Sequence, residues 1–157
     1  MSRRWRILLW LVGVPLLAAV LWDRGQTIRW SGTSTLTVEF VVTDAETGQP
    51  VEGAAILIYD EMDSRHNEPP KPRAKTDRDG MARVISPHQR TGGRESGLRF
   101  TNTHYISVPV WHVWFAAPGF VETWPLSIEQ DYRGAATRTG PRQAKLIIPV
   151  ALRKVRP

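Results

Sequence analysis

The chain has 157 residues, 41% hydrophobic and 23% charged. That suits one domain with a real core plus a short extra segment, and excludes both a disordered chain and a polytopic membrane protein. The net charge is +6, yet removing Arg3, Arg4 and Arg6 from the 21 Lys+Arg leaves 18 against 15 Asp+Glu, and the tail Arg153, Lys154 and Arg156 accounts for the rest. No basic cluster interleaved with aromatics remains, so no nucleic-acid partner is expected. The lack of cysteine excludes disulfides, thiolate catalysis and cysteine zinc sites.

Residues 1–6 form a basic N-terminus, expected on the cytoplasmic side. Residues 7–22 follow as a charge-free run of 16, flanked by Trp5 and closed by Trp22. This reads as an N-terminal transmembrane helix, a single-pass, N-in signal anchor in the cytoplasmic (inner) membrane, with the remainder on the extracytoplasmic, periplasmic side. Small residues at cleavage-site spacing are missing near its end, which favours a retained anchor over a removed signal peptide. Residues 23–34 are small and polar and read as a linker.

From residue 35 to 155 the pattern changes to period two. Leu36, Val38, Phe40 and Val42 alternate with Thr35, Thr37 and Glu39, the mark of a half-buried strand. Further strands are expected at 54–60, 81–85, 108–117, 120–128 and 144–155. In the fourth, Val108, Val110, His112 and Trp114 share one face, and Trp111, Val113 and Phe115 the other. Pro149 suggests an edge position for the last strand. Loops are expected over 61–73, 86–97 and 129–142. With twelve prolines and no long helical period beyond residue 35, the domain reads as all-β, an antiparallel sandwich or barrel.

Three turns punctuate these strands. In the first, Asp44 opens the turn through its own backbone, Gly48 takes the positive φ that finishes it, Pro50 fixes the chain, and Gly53 permits tight re-entry into the sheet. In the second, Asp77 and Asp79 cap the turn and Gly80 closes it. In the third, Pro118-Gly119 is a type II turn dipeptide. Taken in this order, with Thr47, Ala54, Thr76 and Phe120, these turns resemble the carboxypeptidase regulatory-like domain of the transthyretin-like (prealbumin-like) β-sandwich group, over about residues 36 to 152. The resemblance implies an Ig-like sandwich with a structural or binding role and no active site. The enzymatic branch of the wider group, the hydroxyisourate hydrolases, carries a histidine where this chain has Val41 and an arginine where it has Met81. Its terminal Tyr-Arg-Gly-Ser is matched only by Tyr132-Arg133-Gly134-Ala135, 22 residues before the end.

Chemistry-bearing residues are sparse. His66, His88 and His104 lie in polar stretches without metal-triad spacing, and His112 sits among tryptophans in an apolar strand. Asp77-x-Asp79-Gly80 lacks the later carboxylates of a calcium loop. No nucleophile elbow, phosphate loop or catalytic carboxylate pair appears, so neither an enzyme nor a cofactor is expected. Trp111, Trp114 and Trp124 either fill the core or form an aromatic binding surface, and Trp111 and Trp114 lie on opposite faces of one strand. The expected function is a membrane-anchored, non-catalytic module for protein interaction or structural support in the cell envelope. The alternative is a carbohydrate-binding module attaching to wall or surface polysaccharide.

Overall fold

A computed structural model describes residues 3–25, 28–60, 71–95, 103–123 and 125–156. In chain order its elements are α1 (Arg3–Gly25), β1 (Ile28–Asp44), β2 (Ala55–Asp60), β3 (Lys71–Lys75), β4 (Met81–Glu95), β5 (Thr103–Ile106), β6 (Trp111–Ala116), β7 (Leu126–Ser127), α2 (Ile128–Tyr132), β8 (Thr137–Gly140) and β9 (Gln143–Leu152). They form a five-stranded sheet, β5-β4-β1-β9-β8, and a four-stranded sheet, β3-β2-β6-β7. The chain is all-β apart from its helices. β1 and β9 pair in parallel, while β2–β3, β2–β6, β6–β7 and β8–β9 are antiparallel, so the sandwich is not the wholly antiparallel one expected.

Two units are each compact: Met1–Gly32 with Gly92–Tyr105, and Thr33–Thr91 with Ile106–Pro157. The second holds the core. The period-two rows of β1 (Leu36, Val38, Phe40, Val42) and β9 (Leu146, Ile148, Leu152) are buried, as are Ile56 and Ile58 of β2 and Trp111, Val113 and Phe115 of β6. Phe40 and Phe115 meet edge to face, ring centroids 5.5 Å apart, which joins the two sheets through a favourable aromatic geometry.

The turns lock onto one another. Asp44 Oδ1 accepts from the Glu46 N–H at 2.9 Å, and Gly48 and Gly53 both hold positive φ. Thr76, buried just ahead of the second turn, donates its hydroxyl to the Val51 carbonyl at 2.6 Å and accepts from the Ala54 N–H at 2.9 Å. Its backbone exchanges two further bonds with Gly53 and Ala54, each 3.0 Å. Asp77 Oδ1 accepts from the Asp79 and Met81 N–H groups at 3.0 and 2.9 Å, so the capping of its own turn accounts for the Asp-x-Asp-Gly motif. Gly80 sits at φ 70 and its carbonyl accepts from Val42 at 2.8 Å; a Cβ there would lie 2.4 Å from the Val42 oxygen. The Pro118-Gly119 turn closes with Phe120 N–H on the Ala117 carbonyl at 3.1 Å, and the Val121 and Val155 N–H groups tie it to residues 153–155.

The basic tail is part of this lock. Lys154 Nζ sits 2.9 Å from Asp44 Oδ2. On the outer side of the first sheet, buried Glu39 bridges Lys145 at 2.7 Å and Arg83 at 3.0 Å.

Several expectations are corrected. Residues 7–22 lie within α1, but among the described residues no helix is long and apolar enough to cross a membrane. The 16 charge-free residues rise about 24 Å at 1.5 Å per residue, short of a hydrocarbon core of about 30 Å. The inner-membrane, single-pass localisation is therefore withdrawn. Residues 28–34 are strand, not linker, because β1 starts at Ile28. The glycine-rich loop expected over 86–97 is strand as far as Glu95. Gly92 and Gly93 serve close packing there: a Cβ would lie 2.5 Å from the Tyr105 hydroxyl at one and 2.6 Å from the Thr103 carbonyl at the other. The strand expected over 120–128 shrinks to Leu126–Ser127 and turns into α2. Pro149 belongs to an interior strand, yet β8 pairs β9 only over Gln143–Lys145, so the edge beside Pro149 is open.

Two outcomes follow from the lock. Thr76→Val, which keeps the shape and removes both side-chain bonds, is expected to destabilise the fold by about 2 kcal/mol in urea unfolding, with Thr76→Ser retaining most of the stability. The hydrogen bond from Lys154, then that from the Glu46 N–H, holds the Asp44 carboxyl down at about 2 against an ordinary 3.8. A depressed carboxyl contributes stability above its ordinary value and loses it as pH falls through 3.8 towards about 2. Lys154 is pushed above its ordinary 10.5 by the same bond, so the pair's contribution persists until the alkaline range. Asp44→Asn should flatten the acid limb of a stability–pH curve over that window and leave its slope near neutrality unchanged.

Candidate functional site

Alternation along β2 and β6 sorts their side chains between core and surface. The inner row of β6 is Trp111, Val113 and Phe115, so His112 and Trp114 point outward. Leu57 stands opposite Trp114 and Tyr59 opposite His112 in the antiparallel register. All four are half-buried, and the Tyr59 and His112 rings lie 6.4 Å apart. The result is a small aromatic and aliphatic patch on the outer face of the four-stranded sheet. Lys75, opposite Ala55, adds an exposed cation to the same face, and Pro72 lies opposite Leu57.

A second concave feature lies where β2, β3 and β4 approach the segment Ser107–Trp111. It is a cleft of about 730 Å3. Trp111, only 6% exposed, forms part of its floor, and its indole N–H donates to Asp60 Oδ2 at 2.8 Å. Gln89 Nε2 donates to the hydroxyl of buried Ser86 at 2.8 Å, and Ser107 donates to Gln89 Oε1 at 3.2 Å. His88, next along β4, holds a left-handed backbone at φ 60, which histidine tolerates better than most residues.

The three tryptophans therefore part company. Trp111 is a buried wall and cannot serve as a surface platform, because the alternation that buries Val113 and Phe115 buries it too. Trp114 lies on the outer patch. Trp124 lies outside the described residues, as does His66. His104 rests against Trp30 with ring centroids 5.7 Å apart. Asp44, Gly48, Pro50, Gly53, Asp77, Asp79, Gly80, Pro118 and Gly119 all sit in or beside the turns described above. Tyr132-Arg133-Gly134-Ala135 leaves the end of α2 as a turn, with the Ala135 N–H on the Tyr132 carbonyl at 3.0 Å. Leu57, Tyr59, Asp60, Ser86 and Gln89 escaped the sequence reading. The strand alternation held the signal for the first two, but their neighbours depend on the β2–β6 register.

Among the described residues no three histidine, aspartate or glutamate side chains gather as a metal would need. The patch suits docking of an apolar surface. The cleft offers a fixed polar row above an aromatic floor.

No protein-family model matches the chain, and no curated protein does. Among solved structures it is similar to a catechol 1,2-dioxygenase from Acinetobacter sp. ADP1 inhibited by bound mercury, at 15% identity and TM-score 0.47 over 80% of this chain and 54% of that one. It is also similar to a 3-chlorocatechol 1,2-dioxygenase from Rhodococcus opacus 1CP, at 13% identity and TM-score 0.46 over 80% and 62%. The chain thus spans less than two thirds of either neighbour. Both neighbours are enzymes, so the sequence-based reading of this chain as a non-enzyme is withdrawn. At these identities and TM-scores the likeness assigns it neither a reaction nor a substrate.

Proposed function

We propose that the chain is a binding module of the transthyretin-like, carboxypeptidase regulatory type. In this reading a partner protein docks on the outer face of the four-stranded sheet. The observation that carries it is the pair of cross-strand contacts Leu57–Trp114 and Tyr59–His112, which set four large side chains side by side on one half-exposed face. Tryptophan and tyrosine concentrate binding energy at protein interfaces. The sheet edges are poorer candidates. β3 carries Pro72, which lacks a ladder donor, and β7 has two residues. Lys75 supplies the positive charge on the outer rows of the paired strands, so the partner surface that fits is apolar with an acidic rim.

A photo-crosslinking residue at Ala116, on the outer row of β6, tests this reading in the full chain. A single stoichiometric protein partner is expected, lost in Trp114→Ala and Tyr59→Ala. Polysaccharides that quench or blue-shift tryptophan emission in the wild type but not in Trp114→Ala would replace the protein reading with a glycan one. No crosslink and no glycan response would remove the patch as a site. Stability separates the two tryptophans: Trp111→Ala should cost about 3–5 kcal/mol as a core truncation, and Trp114→Ala within about 1 kcal/mol.

A further inference from the structure

The cleft between β2, β3, β4 and the segment Ser107–Trp111 goes beyond the docking patch and does not depend on it. Its volume, about 730 Å3, lies in the range of small-molecule sites, roughly 300–1,000 Å3. Trp111 and Val108 give it a buried apolar floor. Two arginines line it, Arg73 from β3 and Arg90 from β4, and both are exposed. Neither guanidinium has an ion-pair partner among the described residues. Its acids are Asp60, whose Oδ2 receives the Trp111 indole N–H, and Glu129, exposed at the rim.

The polar row between these charges is set for an acceptor. Ser86 is 5% exposed, and its hydroxyl oxygen already accepts from Gln89. Its own hydroxyl hydrogen has no acceptor among the described residues. Gln89 is fixed in turn by Ser107 on its carbonyl oxygen, so its amide is oriented without a ligand. A buried hydroxyl with an unspent donor costs free energy unless an acceptor arrives.

We propose that this cleft binds a small organic monoanion, an apolar or aromatic body bearing one carboxylate. The carboxylate would pair with Arg73 or Arg90 and accept from Ser86, while the body rests on Trp111 and Val108. Two features select this class. Guanidinium matches a carboxylate with two parallel hydrogen bonds. The lining charges of Arg73 and Arg90 are formally balanced by Asp60 and Glu129, so no strong field draws a polyanion.

Calorimetric titration of the full chain with 3-phenylpropionate, its primary amide and inorganic phosphate tests the proposal. The expected result is binding of the carboxylate, with the amide and phosphate each weaker by about tenfold or more. Arg73→Gln and Arg90→Gln, both exposed and unpaired among the described residues, should fold normally, and the double variant should lose about tenfold in affinity or more. Ser86→Ala should weaken the carboxylate more than the amide, whose neutral carbonyl accepts a weaker bond from the same hydroxyl. Trp114→Ala should change nothing. Equal binding of amide and carboxylate, an unaffected double arginine variant, or no binding of any probe at millimolar concentration would overturn the proposal.

Discussion

The hydroxyl of Thr76 is the constraint on which the rest of the sandwich hangs. It spends its proton on the Val51 carbonyl and a lone pair on the Ala54 N–H, and both groups belong to the return from the first turn. That loop leaves β1 at Asp44 and must deliver the chain to β2 in the opposite sheet. Without Thr76 two backbone groups at the sheet crossing would lose their side-chain partners, and a buried polar group without a partner is expensive. Gly80 adds a second constraint from the same turn, since its carbonyl serves Val42 and the backbone there leaves no room for a Cβ. The N-terminal strand, the first crossing and the turn by which β3 crosses to β4 in the other sheet are thereby fixed as one piece.

Placement of the candidate sites follows from that piece. Once β2 starts at Ala55, period two sends Ile56 and Ile58 into the core and Leu57 and Tyr59 out. Pairing with β6 then decides that Trp111 becomes a wall and Trp114 a surface residue. The strands on either side of the second turn, one in each sheet, carry Arg73 on β3 and Ser86, Gln89 and Arg90 on β4, so the cleft is lined from both sheets. A one-residue slip at the crossing would exchange the two faces of β2 and dismantle both features.

Local chemistry made much of the fold legible in the sequence. Asp44, Gly48, Gly53, Asp77 and Gly80 declare turns through side-chain capping and positive φ, which depend on nearest neighbours alone. The inward rows of β1 and β9 were visible as alternation. What was hidden depends on distant partners. Gly92 and Gly93 carry the composition of a loop, but they are glycine because Thr103 and Tyr105 approach them closely. α2 has five residues, too few to show a helical period, and the stretch 120–128 alternated well enough to mimic a strand. Alternation puts Trp111 and Trp114 on opposite faces, yet which of them faces inward is set by the second sheet. α1 has 23 residues, but its charge-free run has 16, and among the described residues no helix is both long and apolar enough to cross a membrane.

Hydrogen exchange at the Val51, Gly53 and Ala54 amides reads out whether Thr76 holds the first crossing shut. If the second turn locks the first crossing, these loop amides should be as protected as those of Val38 and Phe40 in the core strand, and should exchange only through global unfolding. Exchange at rates ordinary for a surface loop, with the core strand still protected, would show that the crossing opens on its own and that Thr76 does not lock it.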